Sequence, residues 1–591
     1  MADEAQLRRT QVNLGGLLDV LGKNLYSTPA VALRELVQNA HDSCLRRRLE
    51  SDEPFEAAIR VRCSEARHTL IVEDVGAGLT ADEIEQYLAT VGSGYTRELR
   101  TQHSSSDLIG QFGLGFLTAY IVSDRVDLFT SSYQSPEQGW HFSSNSGERY
   151  TLRPAEPRPI GTRVELMLSA KFRELADPAV VAGLLRRFCA LLRIPVFVQD
   201  DDEPINHHLV PWRLEPDVPD VRRRRVEMDF ARSFESVFDP LVCLPLPSGG
   251  SAQGLLWLQD GATYATSDNR NVSVYVRGML VSDDARDLMP RWAGFASAVI
   301  ENDKLAPTAS REDLQKDDAF DETAALVRDT LIEGLRDVAR HAPTTWRTIL
   351  LRHNEALLGA ALSDDRLYGL LRDDLKVPTS EGDLTLPVIA QRSGGKLHVS
   401  MATRGSPEET VFRALGVPVI EGNRYGALPF SQAYADQNNL TVVQMGTEVG
   451  NQTLFPTAEL PEAQHERLSR ALLGPNQELM PSRFRPAELP LVLIPDRAVE
   501  LKERMEADEA DRRISRGALS LARLYTKTID DTIRARLYLN LDSPVVQRLA
   551  SDDSPAHGAG AAMLKALAAV LASHRDTATE SDLSGALREV T

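Results

Sequence analysis

Within the first 210 residues long helical patterns alternate with short β-rich runs, and no other feature of the sequence narrows the fold as far. The stretches "LLDVLGKNLYS" and "TPAVALRELVQNAHDSCLRRRL" read as helices. The runs "AAIRVRCS", "HTLIVED", "RVDLFTSS" and "RVELMLS" read as strands. This pattern predicts a mixed sheet carrying helices. From Asp200 to Arg225 the chain is polar and proline-bearing, the composition of a linker. A second αβ region follows. In it "LVCLPLP", "GLLWLQD" and "NVSVYVRGMLVSD" are strand-like and "DETAALVRDTLIEGLRDVARHA" is helical. "KLHVSMATRG", "ETVFRALGVPVIEG" and "LTVVQMG" continue the alternation. Beyond residue 452 a third, mixed region holds strand-like "LPLVLIPD" and "IRARLYLNL", a helical stretch around 498–525, and the Ala-rich helix "GAGAAMLKALAAVLASHR". That helix is apolar around much of its circumference, which either its own core or a dimer interface would explain. The predicted organisation is α+β and multidomain: 1–210, a linker at 211–227, a middle domain at 228–452 and a C-terminal domain at 453–591.

Composition limits the partners. The chain has 591 residues and a formal net charge of −19. Non-specific nucleic-acid affinity comes from Lys and Arg neutralising phosphates, so this balance argues against nucleic acid. The best candidate for a local basic patch, Arg222 to Arg225, is flanked by acids and reads as a solvated face. The four cysteines, Cys44, Cys63, Cys189 and Cys243, have no short metal-ligand spacing and fit a reducing compartment. "MADEAQLRRTQVN" lacks the apolar core of a signal peptide, and no long uncharged apolar run would span a membrane. The expectation is a cytoplasmic protein with no membrane partner.

Four clusters carry chemistry. Glu35, Asn39 and Asp42 follow one another at spacings of four and three, which places them on one helix face. A carboxylate beside a carboxamide offers a general base and a neutral oxygen ligand for a hard cation such as magnesium. Asp74–Val75–Gly76–Ala77–Gly78 follows a strand, where an Asp can accept from an exocyclic amine and glycines allow close backbone approach. Gly110–Gln111–Phe112–Gly113–Leu114–Gly115–Phe116 opens a helix, a setting that presents backbone N–H groups to phosphate. It follows the polar "RTQHSSSD", a candidate lid. Gly161–Thr162 puts a hydroxyl at a strand start. Each alone has a plain structural explanation: an amphipathic helix, a tight turn, a glycine-bearing loop.

Taken in order, the four resemble the Bergerat-type ATPases, the superfamily of gyrase, MutL, histidine kinases and heat-shock-protein-90. The flanking "LLDVLGKNLYSTPAVALRELVQNAHDS" and "DLIGQFGLGFLTAYIVSDRVDLFT" resemble the heat-shock-protein-90 chaperone family, bacterial HtpG-like members in particular. "VSVYVRGMLVSDDARDLMPRWAGFASAVIENDKLAPTASREDLQ" is similar to that family's middle domain, and "LNLDSPVVQRLA" to its C-terminal dimerisation domain. The resemblance implies an N-terminal Bergerat-type α/β sandwich with ATP between helices and a lid, an αβ middle domain and a smaller mixed dimerisation domain. It implies ATP and magnesium as cofactors. Asp74 would bind the adenine amine with support from Thr162, and Asn39 would ligate magnesium. Asp42, Gly78 and the loop Gly110, Gln111, Phe112, Gly113, Leu114, Gly115, Phe116 would complete the ATP site. Glu35 would activate water, and Arg311 would reach the γ-phosphate, with Gln315 one helical turn on.

Three departures from the family pattern stand out. Thr308 replaces an Asn, the lid segment reads "ATVGSGYT" without its Lys, and "SGALREVT" lacks an acidic recruitment tail. The expectation is a homodimeric chaperone acting on client proteins, without tail-binding cochaperones. The alternatives are a DNA-processing ATPase of the MutL or gyrase type, and a nucleotide-binding interaction protein that has lost turnover.

Overall fold

The computed structural model describes residues 30–88, 115–145, 147–235, 237–263, 267–308, 313–401, 407–496, 532–551 and 556–572, together with Val499 and Lys502. The chain forms two compact units, one built from residues 1–262 and 267–348, the other from 263–266 and 349–591.

The first unit begins with helix α1 (Ala30–Glu50). Its residues Leu33, Leu36, Val37, Ala40 and Cys44 recur at three- and four-residue steps and form one apolar stripe. The stripe packs on a seven-stranded sheet built from β1 (Ile59–Ser64), β2 (Thr69–Asp74), β3 (Ser123–Ser131), β4 (Gly139–Ser144), β5 (Tyr150–Ala155), β6 (Gly161–Leu168) and β7 (Val196–Val198). The order is β5-β4-β3-β6-β2-β1-β7, antiparallel except for β1 with β7. β1 and β2 alternate buried and half-buried residues, so Ile59, Val61, Leu70 and Val72 meet the helix stripe. All four predicted strands and the second predicted helix lie within these elements. The predicted "LLDVLGKNLYS" helix lies outside the described residues. β4 and β5 were not predicted. Helix α2 (Ala81–Tyr87) follows the glycine turn, α3 (Thr118–Val122) follows the glycine loop, and α4 (Pro178–Phe188) closes the core.

A second sheet in the same unit comprises β8 (Pro240–Pro245), β9 (Ala252–Gln259), β10 (Asn271–Val276), β11 (Met279–Ser282) and β12 (Ala296–Asn302), in the order β11-β10-β12-β9-β8. The run "NVSVYVRGMLVSD" is therefore two strands of a hairpin turning at Arg277–Gly278, where both φ values are positive. Met279 of that hairpin joins the core under the first sheet, and the Tyr275 hydroxyl donates to the Arg187 carbonyl at 3.0 Å. Helices α5 (Asp220–Phe234) and α6 (Asp318–His341) flank this sheet. Residues 220–225, expected in an extended polar linker, begin α5; Arg222, Arg224 and Arg225 on it are exposed, as a solvated face requires.

The second unit holds a five-stranded sheet, β13 (Lys376–Thr379), β14 (Gly382–Thr385), β15 (Lys396–Ser400), β16 (Val419–Glu421) and β17 (Thr441–Gln444), ordered β14-β13-β16-β15-β17. A three-stranded sheet, β18 (Gln477–Ser482), β19 (Leu491–Pro495) and β20 (Ala535–Asn540), is ordered β18-β20-β19. The Ala-rich helix spans Ala556–Ala572. Its Ala561, Leu564 and Ala568 pack into a core with Leu468, Leu491 and Leu539, so a local core accounts for one stripe, while Met563 is exposed. The predicted helical stretch around 498–525 falls almost wholly outside the described residues.

Candidate functional site

Strand register builds the site. Asp74 stands opposite Thr162 across the β2–β6 pair, and Thr162 stands opposite Thr130 across the β3–β6 pair. Side chains abreast in paired strands share one face, so three polar groups line up at one end of the sheet. All three residues are buried, and the Thr130 and Thr162 hydroxyls are 3.1 Å apart. Thr130 also donates to the Gly161 carbonyl at 3.0 Å and accepts from the Leu79 N–H at 2.9 Å.

Asp74 is fixed through one oxygen. Its Oδ1 accepts the Ser43 hydroxyl at 2.9 Å and the Gly76 N–H at 2.8 Å. Burial disfavours its charged form and pushes its pKa up to about 6; the Gly76 and Ser43 hydrogen bonds and the Arg158 charge pull the other way. The result is a desolvated acceptor held against helix α1. The turn that follows is tied to the same helix. The Ala77 N–H donates to the Ser43 carbonyl at 3.0 Å, and Arg47 Nη1 donates to the Val75 carbonyl at 2.8 Å. This proximity explains the glycines. A Cβ at Gly76 would lie 2.4 Å from the Ser43 carbonyl carbon. Gly78 has φ +64°, and its Cβ would lie 2.0 Å from the Ser131 carbonyl oxygen. Thr80 then caps α2, its hydroxyl oxygen accepting the Glu83 N–H while the Glu83 carboxylate accepts the Thr80 N–H at 2.8 Å. Glu83 also pairs with Arg46 of α1, which completes the clasp.

Opposite the apolar stripe, α1 carries the predicted polar set. Glu35 and Asp42 are buried and Asn39 is exposed. Arg34 approaches Glu35 at 3.7 Å. Asp42 has the His41 ring at 3.4 Å. Glu35 faces the glycine loop, because a Cβ on Gly115 would fall 2.5 Å from Glu35 Oε2. The neighbouring Phe116 turns its ring edge-on to Tyr120 and Phe142, so its side chain is engaged with the core beneath the loop. Gly110, Gln111, Phe112, Gly113, Leu114 and Arg311 lie outside the described residues. The segment bearing Arg311 is anchored on both sides: Pro307 bridges Leu314, and Gln315 Nε2 donates to the Pro307 carbonyl at 3.0 Å. Gln315 therefore sits in an extended loop base, three residues before α6 begins, and not a helical turn beyond Arg311 as the spacing suggested.

Sequence reading missed Ser43 and Thr130. Ser43 lies four residues beyond Asn39, within the same polar stripe, and that spacing was its available signal. Thr130 is legible only once β3 is known to pair with β6.

This geometry coincides with the region matched by the family model for the histidine kinase-, DNA gyrase B- and HSP90-like ATPases, residues 26–160. The Hsp90 protein model matches residues 259–345, which hold β10, β11, β12 and α6. These matches make the chain similar to the HtpG/Hsp90 family, within the Bergerat-fold ATPase superfamily. Among curated relatives, the chaperone protein HtpG of Chlorobaculum tepidum is 27% identical over 397 residues, covering 62% of each chain. That of Alkalilimnicola ehrlichii is 27% identical over 461 residues, covering 69% of this chain and 70% of its own. That of Paramagnetospirillum magneticum is 29% identical over 338 residues, covering 53% of each. The chain spans about three-fifths of the length of the first relatives it matches. The architecture is α+β and multidomain, and its N-terminal part is the region similar to the ATPase family model. Among the described residues no helix is long and apolar enough to cross a membrane.

Proposed function

We propose that this chain is an ATP-dependent molecular chaperone of the heat-shock-protein-90 type, a cytoplasmic homodimeric clamp that hydrolyses ATP while assisting client proteins. Residues 1–210 serve as the ATP-binding domain, 228–452 as the middle domain and 453–591 as the dimerisation domain. The observation that carries this reading is the buried Asp74, locked on one oxygen by Ser43 and Gly76 and flanked by the Thr162 and Thr130 hydroxyls. A desolvated carboxylate fixed in this way is suited to accept from an adenine amine.

The other residues divide the remaining work. Asp42 and Gly78 line the nucleotide pocket, and the loop from Gly110 to Phe116 presents backbone N–H groups to the phosphates. Glu35, beside Gly115, orients the attacking water and takes its proton. Arg311 places a cation on charge that develops during phosphoryl transfer. Asn39 is exposed on the polar stripe and offers one carboxamide oxygen, which fits a cation that retains several waters. Magnesium bound there neutralises phosphate charge.

The test is steady-state Mg-ATPase activity of the full chain alongside ATP affinity. Glu35→Ala is expected to keep ATP binding and lose turnover by roughly two to four orders of magnitude, the usual worth of a general base. Undiminished hydrolysis in that variant overturns the base assignment. A monomer by light scattering at micromolar concentration overturns the clamp.

A further inference from the structure

Helix α5 buries Glu227, Phe230 and Ala231 on its inner face. Phe230 and Ala231 are ordinary core residues, whereas Glu227 puts a carboxylate on the same stripe. It is 7% exposed. Among the described residues it has no hydrogen-bond or ion-pair partner. Arg223 and Arg224, a turn earlier on α5, act on it only at longer range, and burial raises its pKa above the usual carboxylate range. A carboxylate on a mostly buried stripe, offset only at longer range by arginines of its own helix, is placed to receive a counter-charge from the space it faces.

The space around it supplies a place for one. Glu227 lines a cleft of about 990 Å³ between α5, α6 and strand β8, which is an edge strand of its sheet. Half-buried Met228, Leu241 and Leu326 give the cleft apolar walls. Across from α5, the Thr330 hydroxyl of α6 is buried and likewise lacks a hydrogen-bond partner. The lining holds five carboxylates and two guanidiniums, which favours a cationic occupant. An apolar approach that ends on a buried carboxylate and a hydroxyl matches a hydrocarbon stem tipped by a hydrogen-bond-donating cation.

We propose that this cleft is a binding site for an alkylammonium group, with the ammonium on Glu227 and its apolar stem against Met228, Leu241 and Leu326. A lysine side chain of a polypeptide and a free long-chain amine share this chemistry. The site lies on α5, α6 and β8 and stands independently of the nucleotide reading.

Isothermal titration of the full chain tests it with four probes: n-hexylammonium, n-hexanol, a capped Leu-Lys-Leu tripeptide and its norleucine counterpart. Binding of either cationic probe in preference to its neutral partner supports the site, and the probe that binds tells whether the source is a free amine or a lysine. Glu227→Gln should weaken that binding about thirtyfold, the lower end expected for truncating a buried charge pair. Because the charge it removes is offset only at longer range, it should melt no lower than the wild type. Glu227→Asp, which keeps the charge but withdraws it by one methylene, should fall between the two. No binding of either cation, equal binding of the neutral partners, or binding unchanged in Glu227→Gln overturns the proposal.

Discussion

Ser43→Ala is the most informative single change in the nucleotide site. It removes one of two donors from Asp74 Oδ1, a contact of 2.9 Å, and leaves the Gly76 N–H in place. A hydrogen bond to a charged group contributes about 1.5–3 kcal/mol. That bond stabilises only the ionised form, so its loss raises the Asp74 pKa by roughly one to two units, at 1.36 kcal/mol per unit. The starting value is about 6, so the variant's carboxylate ionises nearer neutrality. An adenine amine needs the ionised acceptor. Affinity should therefore fall about tenfold per pH unit below the Asp74 pKa in either protein, with the break at higher pH in Ser43→Ala. The assay is ATP affinity by titration calorimetry from pH 5 to 9 for both proteins. Comparing the two curves cancels the titration of the nucleotide's own phosphate. Superimposable curves would refute the claim that Ser43 holds Asp74 in its charged form.

Asp74→Asn should abolish detectable ATP binding in the same assay. It should also stabilise the fold above pH 6. The native pKa of about 6 exceeds the ordinary aspartate value of 3.8, so the stability this group contributes is fully present below 3.8 and is lost as pH rises through 6. The loss is up to about 3 kcal/mol at 1.36 kcal/mol per unit, and thermal melts of both proteins at pH 4 and 8 should show a gap only at the higher pH. Gly78→Ala places a side chain at φ +64° against the Ser131 carbonyl, and should cost on the order of 1–3 kcal/mol or more by denaturant titration. Tyr275→Phe removes the hydroxyl bonded to Arg187 and should cost about 1 kcal/mol, read as a lowered melting temperature.

Legibility in the sequence followed the strength of the local pattern. Helix α1 was plain because Leu33, Leu36, Val37, Ala40 and Cys44 mark one stripe without interruption. β5 was not, because it is an edge strand whose residues are exposed or half-buried, so no apolar alternation is written into "YTLRPA". Helix α5 was hidden by its five arginines, which outweigh the Phe230 and Phe234 that pack inward. At the site, Glu35, Asn39, Asp42 and the turn from Asp74 to Gly78 could be found by spacing and residue type. Spacing placed Ser43 on the same stripe, but residue type gave no weight to it or to Thr130. A small hydroxyl side chain looks the same in sequence whether it meets water or a carboxylate, and the difference arises from strand pairing and helix approach.

The alignment of Asp74, Thr162 and Thr130 across β2, β6 and β3 also constrains how this sequence can change. Side chains on a strand alternate faces, so deleting one residue between Thr162 and Leu166 of β6 either turns Thr162 away from Asp74 or inverts Leu166 and Leu168 with respect to the core. The pocket and the hydrophobic core therefore share one register. Length variation at this end of the sheet is confined to the connections between strands, and the distance between the acceptor and its two hydroxyls is inherited as a property of the ladder.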